Sequence, residues 1–198
     1  MNYPPQLREI FEKLKIGYHI SSEDDTVYLT LDDKTDDYAD YFAALGFVLK
    51  RHTYDFFYFE PETEDKNSPR LAKIAVFSFV LIDHIANRGL PVEPAIFSGS
   101  FTLTELPHFS LDSYRARLEQ VDVMDVGDLR DVINHLKNVG WAKWVSHDEF
   151  RFLRPFHRML SKCLELAEQS GQKVSEISPI ANEHSVSTGD EMEGEPHA

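Results

Sequence analysis

The segment from Val126 to Leu153 limits the fold more tightly than any other part of the chain. Val126, Leu129, Val132, Ile133, Leu136 and Val139 recur at helical spacing, Asp125 is placed to cap the start, and Gly140 supplies a left-handed stop. Trp141-Ala142-Lys143-Trp144-Val145 and Phe150-Arg151-Phe152-Leu153 then flank the polar turn Ser146-His147-Asp148-Glu149 as hairpin strands do. A short amphipathic helix feeding an aromatic hairpin is the closing half of a winged-helix unit. It reads as a module that holds a partner rather than one that transforms a substrate, and its shape alone does not name the ligand.

The same order of elements occurs earlier. Leu7, Ile10, Phe11 and Leu14 predict a first helix ending at Gly17, and Thr26–Leu31 alternates enough to predict a strand. Thr35 is placed to cap a second helix with Tyr38, Tyr41, Phe42 and Leu45 inward. Phe47–Arg51 and Tyr54–Phe59 follow as a second aromatic hairpin turning at His52 and Thr53, and polar Glu60–Ser68 reads as a linker. Pro69–Arg88 predicts a long helix buried on nearly all sides, stopped by Gly89 and Pro91. Leu111, Tyr114 and Leu118 mark another helical face. Pro155 opens a closing helix with Phe156, Met159, Leu160 and Cys163 inward.

From Ser170 the periodicity fails, and six acidic residues face only Lys173. The expected architecture is α+β and predominantly helical. It comprises an N-terminal winged-helix domain over residues 1–62, a C-terminal one with its closing helix over 69–169, and a disordered acidic tail over 170–198.

Charge is unevenly placed. The net charge is −14, yet residues 1–69 carry 7 Lys/Arg against 15 Asp/Glu while residues 126–169 carry 7 against 6. A chain of this sign binds free nucleic acid weakly, because neutralising phosphates supplies most non-specific affinity. The near-neutral C-terminal unit is the part suited to DNA when a larger assembly positions it there, with Lys137, Lys143, Arg151, Arg154 and Arg158 as candidate contacts. One cysteine, Cys163, excludes a disulfide framework and fits a reducing compartment; it reads as a small buried apolar residue. The start of the chain has no basic or apolar leader pattern, and the greasiest run, Ile74–Ile82, falls short of the roughly 20 residues a membrane span needs. A cytoplasmic location with no membrane contact is expected.

Catalytic signatures are missing. Nine histidines are dispersed, with no HExxH or His-x-His pair, and adjacent Asp83-His84 point about a third of a turn apart on a helix. Ser98-Gly99-Ser100 lacks the context of a nucleophile elbow or phosphate loop. The pairs Asp24-Asp25, Asp32-Asp33 and Asp36-Asp37 lack EF-hand spacing and read as solvated ends and helix-dipole partners. No catalytic residue, cofactor site or metal site is assigned. The run Phe56-Phe57-Tyr58-Phe59 lies between Asp55 and Glu60 with no interleaved cation, so a base-stacking platform is disfavoured. In a strand, alternate rings face the core and the others cover a neighbouring surface. Tyr54, Phe56, Phe57, Tyr58 and Phe59 are therefore the candidates for contact with a protein partner, against the alternative that the rings are all internal.

Over roughly residues 16–168 the chain resembles the MksE/MukE-like subunits of bacterial condensins, and MksE most. The resemblance is carried by Gly17-Tyr18-His19-Ile20, the run Tyr38–Phe47, the strand Asp55–Phe59, and Asp128-Leu129-Arg130 through Trp141. It implies tandem winged-helix domains, a homodimer, and binding to the kleisin subunit (MksF-like) that links the heads of the SMC ATPase (MksB-like). It also implies a nucleoid-associated place in the cell and a role in chromosome organisation and segregation or in plasmid defence. The alternative is a stand-alone winged-helix transcription regulator. Such a regulator presents a basic recognition helix, whereas Asp128 and Asp131 sit beside Arg130 and Lys137 here.

Overall fold

The computed structural model describes residues 3–61 and 68–176, with side chains to residue 166. It is an α+β chain, predominantly helical, with two small antiparallel sheets. The front half runs α1 (Leu7–Lys15), β1 (Ile20–Ser21), α2 (Thr26–Asp33), α3 (Thr35–Ala43), β2 (Leu49–His52) and β3 (Phe56–Phe59). The rear half runs α4 (Pro69–Asn87), α5 (Val92–Phe97), β4 (Phe101–Thr102), α6 (Asp112–Glu119), α7 (Val126–Asn138), β5 (Ala142–Trp144), β6 (Glu149–Phe152) and α8 (His157–Glu176). Residues 62–67 of the expected linker and 177–198 of the expected tail lie outside the described residues, while residues 170–176, expected to open the tail, continue α8.

Both halves use one plan. A hairpin's second strand takes the centre of a three-stranded sheet, flanked by its hairpin mate and by a short lead strand, in the orders β1-β3-β2 and β4-β6-β5. Phe57 thus pairs with Ile20 on one side and Arg51 on the other, and Phe150 pairs with Phe101 and Trp144. The two hairpins expected from the sequence are present; the two lead strands, each only two residues long, are too short to carry a period-2 signal.

Two hydrophobic cores result. The front one gathers Ile10, Leu14, Ile20, Leu31, Tyr38, Phe42 and Phe57 among others. The rear one is built on Phe77 and Leu81 of α4, Leu129, Val132, Ile133 and Leu136 of α7, and Phe150, Phe152 and Phe156 around the second hairpin. Asp125 caps α7 as expected: its Oδ1 accepts from the Asp128 amide at 3.0 Å, and Asp128 accepts in return from the Asp125 amide.

Four local expectations are corrected. Thr26–Leu31 is helix α2, not a strand. Val27, Tyr28 and Leu31 lie on one helical face and are buried, and the preceding Ser22–Asp24 turn, closed by a Ser21/Asp24 capping box, launches it. Thr35 does not cap α3: its hydroxyl donates to the carbonyls of Leu31 and Asp32 and so closes the end of α2. Leu45, Val126 and Leu111, counted on apolar faces, are exposed, because each lies at or beyond a helix end. Helix α4 is not buried all round: Leu71 and Phe79 reach solvent, Phe79 beneath the Arg117 guanidinium. Partly buried Cys163 has its thiol pushed up to about 11 by burial, so it stays protonated at neutral pH.

Gly140 joins the halves. Its φ is +76°, and a Cβ there would sit 2.6 Å from the His19 carbonyl oxygen and 3.0 Å from the Tyr18 ring. The His19 amide donates to the Val139 carbonyl one residue away at 3.0 Å, so the two backbones run in direct contact. Gly140→Ala is expected to cost about 2 kcal/mol or more, since left-handed strain and a backbone clash add. Urea unfolding at neutral pH checks this, and a wild-type midpoint would show that the contact yields freely.

Candidate partner and nucleic-acid interface

The central strand of the front sheet decides where the aromatic run points. Phe57 and Phe59 face the front core, Phe59 stacking on Phe47 at 4.9 Å. Phe56 and Tyr58 take the opposite face, where they meet His19, itself against the rear half. Phe56 and Phe57 are fully buried, Tyr58 and Phe59 are partly covered, and Tyr54 is 38 % exposed. Tyr54 is nonetheless stacked flat on His157 at 3.6 Å, and His157 in turn on Phe97 at 3.9 Å. The outward rings of the hairpin therefore cover the chain's own second half, and of the rings offered as partner contacts Phe56 and Phe57 are wholly enclosed within the chain.

His19 is the hub of this seam. Its Nδ1 lies 3.1 Å from the Trp141 indole nitrogen and 3.2 Å from the Val139 carbonyl, and its Nε2 lies 2.7 Å from an Arg158 guanidinium nitrogen. Arg158 also sits over the Tyr58 ring at 4.1 Å. An imidazolium would point one N–H at the indole N–H and another at the guanidinium. Burial first, and Arg158 next, push the ring's pKa down to about 3, so it is neutral at physiological pH.

Four of the five cations expected to meet DNA lie in the same seam. Lys143 and Arg151 both hold Glu23, at 2.5 and 2.6 Å, Arg154 lies 3.5 Å from Asp55, and Arg158 contacts His19 and Tyr58. The Glu23 carboxyl is opposed by partial burial, but the two cations outweigh it and hold its pKa below the ordinary value. Lys137, on α7, is exposed and has no side-chain partner among the described residues. Arg130, two turns earlier on α7, donates to the His147 carbonyl at 2.7 Å, pairs with Asp148 and lies over Trp144, which ties it to the hairpin turn. Sequence reasoning missed Glu23, Asp55 and His19 as partners of these cations. Separations of 99 to 139 residues leave no local signal for such pairs.

Among the described residues no group of three or more His, Cys, Asp or Glu is gathered to hold a metal ion. No helix of the described residues is long and apolar enough to cross a membrane. The described residues bring together paired charges, stacked rings and open grooves on a two-core α+β chain. The family model for condensin complex protein MksE matches residues 5–164. The chain belongs to the MksE family, as the resemblance in its sequence implies. No curated protein sequence matches it.

Proposed function

We propose that this chain is a non-catalytic accessory subunit of an MksBEF-type condensin. It dimerises, binds the MksF-like kleisin and, through it, the MksB-like SMC ATPase, and so supports chromosome organisation and segregation or plasmid defence. The observation that carries the proposal is the family match across residues 5–164. The repeated helix-and-hairpin plan supports reading the halves as tandem winged-helix domains, 1–62 and 69–169. Ile16, Leu29, Leu45 and Val48 of the front half remain exposed, apolar side chains available to a second copy or a kleisin segment. DNA contact belongs to the C-terminal unit and to the assembled, nucleoid-associated complex, because a free chain of charge −14 repels phosphate. No cofactor is required.

Light scattering on the purified chain is expected to give a dimer, and co-expression with an MksF-like kleisin is expected to give a stable complex. A monomer without kleisin affinity that selects a specific operator from random DNA would instead establish a transcription regulator.

A further inference from the structure

Lys143 and Arg151 stand directly opposite each other on β5 and β6. Like charges opposed across strands destabilise a hairpin unless an anion lies between them. Glu23, from the Ser22–Asp24 turn of the other half, is that anion here, with Oε2 on Lys143 and Oε1 on Arg151. One carboxylate with an oxygen on each cation has the outline of the two non-bridging oxygens of a phosphodiester.

Two open grooves meet at Arg151. One, of about 540 Å³, is lined by Tyr54, Asp55, Arg151, Arg154 and His157 as well as Glu23. The other, of about 620 Å³, is lined by Ser98, Gly99, Ser100, Lys143, Trp144 and Arg151. The rings of Tyr54 and Phe97 beside them are already stacked on His157, which leaves a track suited to a backbone rather than to unpaired bases.

We propose that the Lys143–Arg151 pair is a phosphate-binding site for the backbone of duplex DNA, and that Glu23 occupies it in the free chain as an internal stand-in. This rests on the reading above that DNA contact is made by the C-terminal unit. The three side chains are 30 to 43 % exposed, so each ion pair is weak and a phosphate competes with it. Uncovering the pair requires only that the Glu23 side chain rotate away, while the His19–Trp141 contact keeps the halves together. Asp55 shields Arg154 less closely, at 3.5 Å.

The test is the affinity of the full-length chain for a random-sequence duplex, measured by fluorescence anisotropy across salt concentrations. Glu23→Gln is expected to raise affinity roughly fivefold at low salt and to steepen the salt dependence by about one to two phosphate contacts. Adding Lys143→Gln and Arg151→Gln to that variant should abolish the gain. Unchanged affinity and slope in a folded Glu23→Gln chain overturns the proposal, as does a gain that survives the triple substitution.

A measurement on the unmodified chain guards against a folding defect: the Glu23 carboxyl, followed by NMR titration, should return towards its ordinary value when duplex is added. No movement at a duplex concentration that saturates binding also overturns the proposal. Lys143→Glu with Arg151→Glu in the assembled complex tests the underlying reading. A loss of DNA affinity there, without a gain from Glu23→Gln in the free chain, leaves the DNA contact standing and removes the masking by Glu23. No loss there removes both.

Discussion

Trp141→Ala is expected to cost about 3 to 5 kcal/mol of folding stability, the range of large aromatic truncations in cores. The ring sits where the rear core meets the seam. It packs edge-on to Phe156 at 6.4 Å, touches His19 at 5.4 Å, and points its indole N–H at the His19 ring. Truncation therefore opens a cavity and strips a partner from a buried imidazole, and the two costs act at one point. Trp141→Phe separates them: it keeps much of the packing, loses the indole donor, and is expected to cost about 1 to 2 kcal/mol. Urea unfolding of both variants decides the matter. Near-wild-type stability of Trp141→Ala would mean that the seam does not hold the halves together in solution.

Stability is also expected to fall by about 4 kcal/mol or more between pH 7 and pH 5, chiefly through buried His19 and His108, with His52 and His157, which burial also holds below the ordinary value, adding to the loss. His19 is held down to about 3 by burial and by Arg158, with His52 adding a smaller opposing charge and the carbonyls of Val139 and Gly17 pulling the other way. His108 is held down to about 4 by burial; its ring stacks on Phe77, one nitrogen meets the Phe77 carbonyl, and His84 adds a small opposing charge. In the unfolded chain both titrate near 6.5, so below that pH the unfolded state takes up protons that the folded state refuses. Their contribution is complete above about 6.5 and is lost as pH falls towards the folded values, by about 2 kcal/mol each at pH 5. Carboxylates held low, such as Glu23, lose their contribution only below the ordinary carboxylate range, so the window from pH 6.5 to 5 isolates the histidines. A flat stability profile across that window, measured by urea unfolding, would show that both rings reach water. With total stabilities of small proteins near 5 to 15 kcal/mol, a fall of this size is readily measured.

The strongest periodic segments were legible because local rules act on residues close in sequence. Leu129, Val132, Ile133 and Leu136 announce α7, Asp125 and Gly140 mark its ends, and the aromatic runs announce both hairpins. The family resemblance followed from the same pattern of core and turn residues. Thr26–Leu31 misled because a short β-branched run fits either period, and a launching turn with a shared apolar face made it a helix. Thr35 misled because a hydroxyl at a helix boundary can serve the helix before it as well as the one after.

The candidate site divides along the same line. From sequence alone came the residue types: the cations Lys143, Arg151, Arg154 and Arg158, the rings of Tyr54–Phe59, and the absence of a catalytic or metal motif. Only the tertiary structure decided what those residues meet. Glu23 lies 120 positions from Lys143, and His19 lies 122 from Trp141, distances over which no helical or strand period operates. Whether a cation faces water or a carboxylate depends on how two cores pack, and that packing is set by the summed burial of both, with Gly140 admitting the close approach.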